Sequence, residues 1–412
     1  MNGELSRLAV LSLHSCPLEE PGAGDAGGMS VYIRETAREL GRRGCRVDVF
    51  TRRHGPEHEP IVAWGDNVRL IHIDAGGNER LPKSAVFNHL EEFFLGLESF
   101  RLRSGVRYDL VQAHYWLSGC LGLQAGRFWN VPLAMTFHTL GALKNEHRPG
   151  APEPDRRLAW EKKLIRDCDL IVSPSEREKK AVLSLGQGRA ARTAVIPCGV
   201  DLDLFRPVDR KEARKKIGLG DEEKVLLYVG RLDPVKGLDR LLAAFALLRA
   251  KTPLKLLVVG GEGRPPLPPG DGGAADDVVF FGRRPQSELP IYYSAADVFV
   301  LPSYYESFGL AGLEALACGV PVAAADVGDY RAILRDETMG KVAADGRPES
   351  LAEAIAALLP GAGDRDRVPD IFRAVVGRYS WGRTVDALLG EYRRLADLKT
   401  SRTPVFGAAG RR

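Results

Sequence analysis

Short apolar runs rich in β-branched residues alternate along the chain with longer stretches in which apolar residues recur at helical spacing. This alternation predicts parallel β-strands joined by helices that cover both faces of a sheet. Seven strands are predicted in the first half: Leu8–Leu13, Val47–Phe50, Leu70–Ile73, Leu110–Ala113, Leu133–Thr136, Leu170–Val172 and Ala194–Ile196. The helices predicted among them include Ser30–Arg43, Ala85–Arg103, Arg156–Asp167 and Glu176–Leu185.

The same alternation of predicted strands and helices begins again after residues 197–207. This connector is rich in turn residues, and its apolar residues recur at neither strand nor helix spacing. The strands predicted there are Val225–Val229, Leu254–Val259, Val278–Phe281, Val298–Leu301 and Val320–Ala324. We therefore predict an α/β protein with two doubly wound, Rossmann-like domains, residues 1–200 and 208–378. They face a central cleft lined by the carboxyl ends of both sheets, where such sheets bind ligands. Residues 261–273 are predicted to be a surface loop, 379–395 a helix and 399–412 a flexible tail.

Composition supports a soluble protein of two domains. The chain has 412 residues, of which 44% are hydrophobic and 27% charged, with a net charge of +4 that gives no reason to expect nucleic-acid binding. No apolar run is long enough to insert stably in a membrane, and Leu8–Leu13 is too short for a signal peptide. Six scattered cysteines without a Cys-x-x-Cys pair favour neither a zinc site nor a disulfide framework, and indicate a reducing cytoplasm.

A glycine-rich loop follows the first predicted strand and leads directly into a helix. Gly27 and Gly28 would let backbone N–H groups approach a diphosphate at the positive end of that helix. A flexible connecting loop without a ligand is the alternative, because such a turn is a weak signal by itself.

Two basic residues occupy the loop after the strand Val225–Val229. Arg231 offers a fork of donors and Lys236 a mobile point charge, so the two could hold a diphosphate from two directions. The alternative is a pair of solvated loop charges.

Two carboxylates lie eight positions apart after the strand Val298–Leu301. Glu306 falls in the loop and Glu314 in the early turns of the next helix, where they could accept hydrogen bonds from sugar hydroxyls. Glu314 could instead be an acid on a helix surface, yet its neighbours are apolar and a buried acid needs a partner.

Two histidines, His114 and His138, stand at the ends of predicted neighbouring strands. A single histidine in such a place is more often structural than catalytic. Two at equivalent ends of adjacent parallel strands favour a site.

These motifs resemble glycosyltransferase family 4. The segment Glu306-Ser-Phe-Gly-Leu-Ala-Gly-Leu-Glu314 is similar to the family's pair of glutamates separated by seven residues, and it accompanies Gly230-Arg231 and Lys236-Gly237. The first domain resembles two branches, the D-inositol-3-phosphate glycosyltransferases of mycothiol synthesis and the sucrose-phosphate synthases, and residues 21–32 with His114-Tyr-Trp-Leu-Ser-Gly119 resemble the mycothiol-type branch in particular. The resemblance implies the GT-B fold, with the C-terminal helix packed back on the first domain.

The resemblance also implies a reaction, the retaining transfer of a hexosyl group, glucose or N-acetylglucosamine, from a UDP-sugar to a small phosphorylated acceptor such as inositol phosphate or a sugar phosphate. Arg231, Lys236, His138 and Glu306 take the catalytic positions. The donor would be bound by Gly27, Gly28, Arg231, Lys236, Arg284, Glu306, Ser307, Phe308, Gly309, Leu310 and Glu314.

For the acceptor, the resemblance implies a phosphate cage made of two cations and two hydroxyls: Lys83, Tyr115, Thr139 and Arg157. Ser30 stands where the mycothiol branch has an asparagine that contacts the inositol ring. The identity of the acceptor ring therefore stays open.

No carboxylate follows a strand near His138 to act as a nucleophile, which favours same-face attack with the diphosphate itself taking the acceptor proton. No Asp-x-Asp lies where a metal would bridge the diphosphate, so we expect no cofactor and no metal requirement. The alternatives are a family 4 enzyme acting on an unphosphorylated glycan or lipid, a UDP-sugar 2-epimerase, a sugar phosphorylase and a non-catalytic sugar-binding protein. A homodimer is also left open.

Overall fold

The computed structural model describes residues 5–20, 22, 26–147, 152–188, 190–261, 263, 277–359 and 370–402. They form two parallel sheets covered by helices, as the sequence predicts. Among these residues no helix is both long and apolar enough to cross a membrane. All six cysteines are buried free thiols.

The first sheet has eight strands in the order β3-β4-β2-β1-β5-β6-β7-β8, and every pair is parallel except β3–β4. Its strands are β1 (Arg7–Leu11), β2 (Arg46–Arg52), β3 (Ile61–Ala63), β4 (Val68–Ile73), β5 (Leu110–His114), β6 (Leu133–Thr136), β7 (Leu170–Ser173) and β8 (Arg192–Val195). Its helices are α1 (Gly28–Arg42), α2 (Lys83–Val86), α3 (Leu90–Arg103), α4 (Tyr115–Trp129), α5 (Gly141–His147), α6 (Asp155–Asp167) and α7 (Glu176–Leu185). The strand order reverses at β1 and β5, which places the ligand crevice of this sheet at their carboxyl ends.

The second sheet has six parallel strands in the order β11-β10-β9-β12-β13-β14. They are β9 (Val225–Val229), β10 (Lys255–Val259), β11 (Val278–Gly282), β12 (Val298–Leu301), β13 (Val322–Ala324) and β14 (Gly340–Val342). The helices of this half are α8 (Arg210–Lys216), α9 (Leu238–Arg249), α10 (Leu289–Ala295), α11 (Leu310–Ala317), α12 (Tyr330–Ile333), α13 (Pro348–Ala356) and α14 (Asp370–Val376). Its order reverses between β9 and β12, so the loops after these two strands border the second crevice.

The last helix, α15 (Trp381–Arg402), returns to the first sheet and packs against α1. Val385, Leu388 and Tyr392 are buried in one apolar cluster with residues of β1, β2 and α1. Where the chain arrives, Val200 pairs with Ser380, and the Thr384 hydroxyl donates to the Pro197 carbonyl at 2.9 Å.

Three sequence-based expectations differ from the structure. The edge strands β3 and β14 were not predicted, because three residues are too few to establish a period. The predicted helix Ala85–Arg103 is interrupted by a 3₁₀ turn at Phe87–His89. Helix α15 continues through residues 399–402, where the tail was predicted to begin, and no glycine or proline intervenes before residue 404. Residues 403–412 and most of the predicted loop 261–273 lie outside the described residues.

Candidate functional site

A cavity of about 300 Å³ separates the two sheets. Its walls come from the carboxyl ends of strands in both halves, including His14 after β1, Tyr115 after β5 and Gly230 after β9. Among the described residues that line it, five are cationic and two are carboxylates: Lys83, Arg231, Lys236, Arg283 and Arg284, with Glu306 and Glu314. The excess of positive charge suits an anionic ligand.

Two helix N-termini approach each other across this cavity. Helix α1 begins at Gly28 and α11 begins at Leu310, and a Cβ placed on Gly28 would lie 3.5 Å from the Leu310 side chain. The first N–H groups of each helix lack intrahelical acceptors and carry the positive end of the helix dipole. Two such ends pointing at one place suit an anionic group. The Arg231 side chain lies beside it, since a Cβ on Gly27 would be 3.8 Å from its Nε.

The loop after β9 is held in a shape that presents Arg231 and Lys236. The Asp233 side chain accepts from the backbone N–H of Val235 at 3.1 Å and so caps a short 3₁₀ turn. Gly237 ends that turn with φ = 69°, and a Cβ there would lie 2.1 Å from the Pro302 carbonyl oxygen. Glycine is therefore required at this position for the loop after β9 to contact the loop after β12.

Glu306 is tied to the same loop. Its Oε1 accepts from Lys236 Nζ at 2.6 Å and from the Ser303 hydroxyl at 2.9 Å. Both bonds use one oxygen, which leaves Oε2 for a ligand. The ion pair joins the loops that follow β9 and β12.

Glu314 is buried in the second turn of α11 and has partners from two other segments. Tyr293 donates to its Oε2 at 2.8 Å, and Gln286 donates to its Oε1 at 3.3 Å. Gln286 in turn accepts from Arg34 of α1, which connects this carboxylate to the first half of the chain. Burial raises the pKa of Glu314 above its usual value, although both hydrogen bonds and Arg34 oppose the rise.

Two non-glycine residues in the left-handed backbone region border the cavity. Tyr115 has φ = 71° and His138 has φ = 59°. Residues held in sparsely populated backbone conformations concentrate at functional sites. The Ser307 hydroxyl fixes the second of them from the opposite half, donating to the His138 carbonyl at 2.6 Å.

The four predicted residues of the phosphate cage are brought together around Tyr115. Lys83 Nζ lies 6.0 Å from the centre of the Tyr115 ring, and the Arg157 guanidinium carbon lies 4.8 Å from it. Arg157 donates to both the carbonyl and the hydroxyl oxygen of Thr139, at 2.8 and 3.1 Å.

Arg157 is also neutralised from within the protein. Its Nε donates to Glu161 at 2.7 Å, and its Nη1 lies 2.8 Å from Glu153. Arg157 and Glu161 are both buried. Nε, Nη1 and Nη2 all have partners, so much of the charge and donor capacity of Arg157 is already used within the protein.

The structure places most of the predicted site residues on the cavity wall: Gly27, Gly28, Lys83, Tyr115, His138, Thr139, Arg231, Lys236, Arg284, Glu306, Ser307, Gly309, Leu310 and Glu314. Three do not line it. Ser30 is fully buried, with its hydroxyl 2.8 Å from that of Ser15. Phe308 is buried in the apolar cluster of the second half, and Arg157 lies behind Tyr115 and Thr139.

Other contributors to the site were not found in the sequence. Tyr293 and Gln286 bind Glu314 directly, and Arg34 is linked to it through Gln286. The three come from separate segments, and no local sequence pattern indicates that they belong to the site. Glu161 stands four residues after Arg157 on α6, a spacing that signals ion pairing, whereas Glu153 reaches Arg157 from the segment before the helix. Among the described residues no group of three or more histidine, cysteine or acidic side chains is arranged to hold a metal ion.

Both halves of the chain match family models. Residues 26–204 match the model described as Glycosyltransferase Family 4, and residues 209–370 match Glycosyl transferases group 1. The D-inositol 3-phosphate glycosyltransferase of Actinosynnema mirum is 37% identical over 96% of this chain and 98% of its own length.

Solved structures of glycosyltransferases are also similar to this chain along nearly its whole length. Sucrose-phosphate synthase from Thermosynechococcus elongatus superposes with a TM-score of 0.84 at 31% identity, covering 95% of this chain and all of its own. Anabaena HepE in complex with UDP-glucose shares the fold, with a TM-score of 0.68 at 19% identity over 96% of this chain and 99% of its own. The likeness in sequence and structure extends over nearly the whole chain, which therefore belongs to glycosyltransferase family 4 and has the GT-B fold.

Proposed function

We propose that this glycosyltransferase moves a hexosyl group, glucose or N-acetylglucosamine, from a UDP-sugar to a small phosphorylated acceptor, with retention of anomeric configuration. The proposal of a UDP-sugar donor rests on one observation, that the N-termini of α1 and α11 lie close together beside Arg231 and Lys236. This arrangement suits a diphosphate, whose charge grows as the sugar leaves. Glu314 then suits the ribose hydroxyls, and Glu306 Oε2 suits a hydroxyl of the transferred sugar.

The relatives support this choice of donor and acceptor. One neighbour is a complex with UDP-glucose, and the curated relatives are D-inositol 3-phosphate glycosyltransferases. On the acceptor side, Lys83 and the hydroxyls of Tyr115 and Thr139 border the cavity and suit a phosphate.

The carboxylates of the cavity argue against a double displacement. Among the described residues lining the cavity, the acids are Glu306 and Glu314, and both belong to the second half. Glu306 is paired with Lys236, and Glu314 accepts from Tyr293 and Gln286, so neither is offered as a free nucleophile. We propose that the acceptor attacks from the diphosphate's own face and gives its proton to that group, without a metal ion.

One observation favours a second candidate, a transferase for an unphosphorylated glycan. Arg157 is already paired with Glu153 and Glu161, which lowers the positive charge available to a phosphate. The two candidates differ only in the acceptor.

The deciding experiment measures UDP release from UDP-glucose and UDP-N-acetylglucosamine against a panel of sugar and polyol phosphates and their dephosphorylated forms. A phosphate held by about two charge-assisted hydrogen bonds, each contributing roughly 1.5–3 kcal/mol, should raise kcat/KM by about 10²–10⁴-fold. Better turnover of the dephosphorylated form would favour the second candidate. NMR of the product reads the anomeric configuration, and an inverted product would refute same-face attack.

A further inference from the structure

The two histidines at the ends of β5 and β6 are joined by a hydrogen bond. His114 Nδ1 lies 2.9 Å from His138 Nε2, and the ring centres are 5.1 Å apart. His114 is fully buried, whereas His138 borders the cavity. Because Nε2 of His138 is engaged, Nδ1 is the ring nitrogen left for a ligand.

Both rings are neutral at physiological pH. Burial lowers the pKa of His138 to about 3, and burial together with His138 holds the pKa of His114 well below its usual value. Two neutral imidazoles carry one N–H each, so one ring donates to the other. The direction of this bond fixes the tautomer of both rings.

The second ring nitrogen of His114, Nε2, decides which ring donates in this hydrogen bond. Its Nε2 is buried and has no hydrogen-bond partner among the described residues. If His138 donated, His114 would have to keep its own proton on Nε2, as a buried N–H without an acceptor, which native proteins strongly avoid. If His114 donates through Nδ1, its Nε2 carries no proton, and no buried N–H is left without an acceptor.

We propose that His114 is a positioning residue that keeps the proton of His138 on Nδ1, so that His138 presents an N–H donor to an oxygen of the bound ligand. His138 is then unable to act as a base through this nitrogen. This assignment rests on the proposed function only for the identity of the ligand, a sugar hydroxyl or a diphosphate oxygen. It is consistent with the diphosphate, and not the histidine, taking the acceptor proton.

The direct test is NMR of the ¹⁵N-histidine-labelled full chain at neutral pH, with the ring signals assigned among its eight histidines through His114→Asn and His138→Gln. We expect both His114 and His138 to be protonated on Nδ1. A spectrum with the His138 proton on Nε2 would overturn the proposal. This readout needs no substrate, so it stands or fails separately from the proposed transferase activity.

Two variants test the effect on the ligand. His114→Asn keeps an amide N–H near the position of Nδ1, whereas His114→Leu has no donor. We expect His114→Leu to lose the Nδ1 tautomer of His138 and about tenfold in kcat, the scale of one ligand hydrogen bond, with little change in KM for the donor. His114→Asn should retain the tautomer and most of kcat. Equal kcat losses in both variants with the His138 tautomer unchanged would mean that His114 is structural only. If the leucine variant does not fold, the wild-type spectrum alone decides.

Discussion

Glu178 allows a quantitative prediction about stability. It lies in the first turn of α7 and is 1% exposed, and its carboxyl group has the Tyr305 hydroxyl and Glu161 as neighbours. Burial, assisted by the charge of Glu161 and opposed by Tyr305, raises its pKa from 4.5 to about 8. The carboxyl group is therefore protonated in the folded protein at neutral pH.

The direction in which stability changes with pH follows from the protons bound by the folded and unfolded chains. Between pH 4.5 and 8 the unfolded chain has lost the Glu178 proton and the folded chain keeps it, so the free energy of unfolding falls as pH rises. At about 1.4 kcal/mol per pH unit, the contribution lost between pH 5 and 8 is roughly 3 kcal/mol. Glu178→Gln is nearly isosteric and does not titrate, so the variant should not show this loss.

Urea unfolding of wild type and Glu178→Gln at pH 5 and pH 8 measures the effect. The difference in stability between variant and wild type should move by roughly 3 kcal/mol in favour of glutamine between the two values. Glu176→Gln, an exposed position on the same helix, is the matched control and should show little change. Parallel pH profiles for wild type and Glu178→Gln would refute the account of a buried, protonated acid.

Four further predictions concern the site. Arg231→Ala and Lys236→Ala should each lower turnover roughly 10²-fold, the scale of losing one donor to a developing anion; near-normal turnover in both would remove their assignment. Activity should survive EDTA, and loss on chelation with recovery on adding Mg²⁺ or Mn²⁺ would contradict metal independence. Lys83→Met should weaken the preference for the phosphorylated acceptor by about tenfold or more without changing donor hydrolysis, with Lys83→Arg as the charge-preserving control. Gly237→Ala should lower both the melting temperature and the affinity for UDP measured by calorimetry, because its Cβ would meet the Pro302 carbonyl at 2.1 Å; unchanged UDP binding would show that the loop adapts.

The sequence predicted the two sheets and most strand centres well, because buried parallel strands are continuous apolar runs. It also predicted the residues after β9 and β12, since ligands in doubly wound sheets bind at the carboxyl ends of strands. Arg157 illustrates a partial failure. Its partner Glu161 was detectable from the four-residue spacing along α6, whereas Glu153 precedes that helix, and the phosphate cage follows from resemblance alone.

Other features required three-dimensional information. The link from Arg34 through Gln286 to Glu314 joins residues 252 and 28 positions apart, and no pattern along the chain marks it. The two histidines were visible as strand-end residues. Their tautomers depend on the hydrogen bond between the two rings and on the buried His114 Nε2, which has no partner among the described residues, and neither is visible along the chain.

The return of α15 to the first sheet has a consequence for how the two halves can move. The polypeptide passes between them twice, once after Pro197 and once before Trp381, and the two passages touch through the Val200–Ser380 bridge. Because the two connections adjoin, we expect the cleft to open and close by rotation about an axis near that bridge. A fragment ending at residue 200 would lack α15 and expose the apolar surface of α1 that Val385, Leu388 and Tyr392 cover. Residues 381–402 would have to be supplied, in cis or as a separate peptide, for the first half to stay in solution alone.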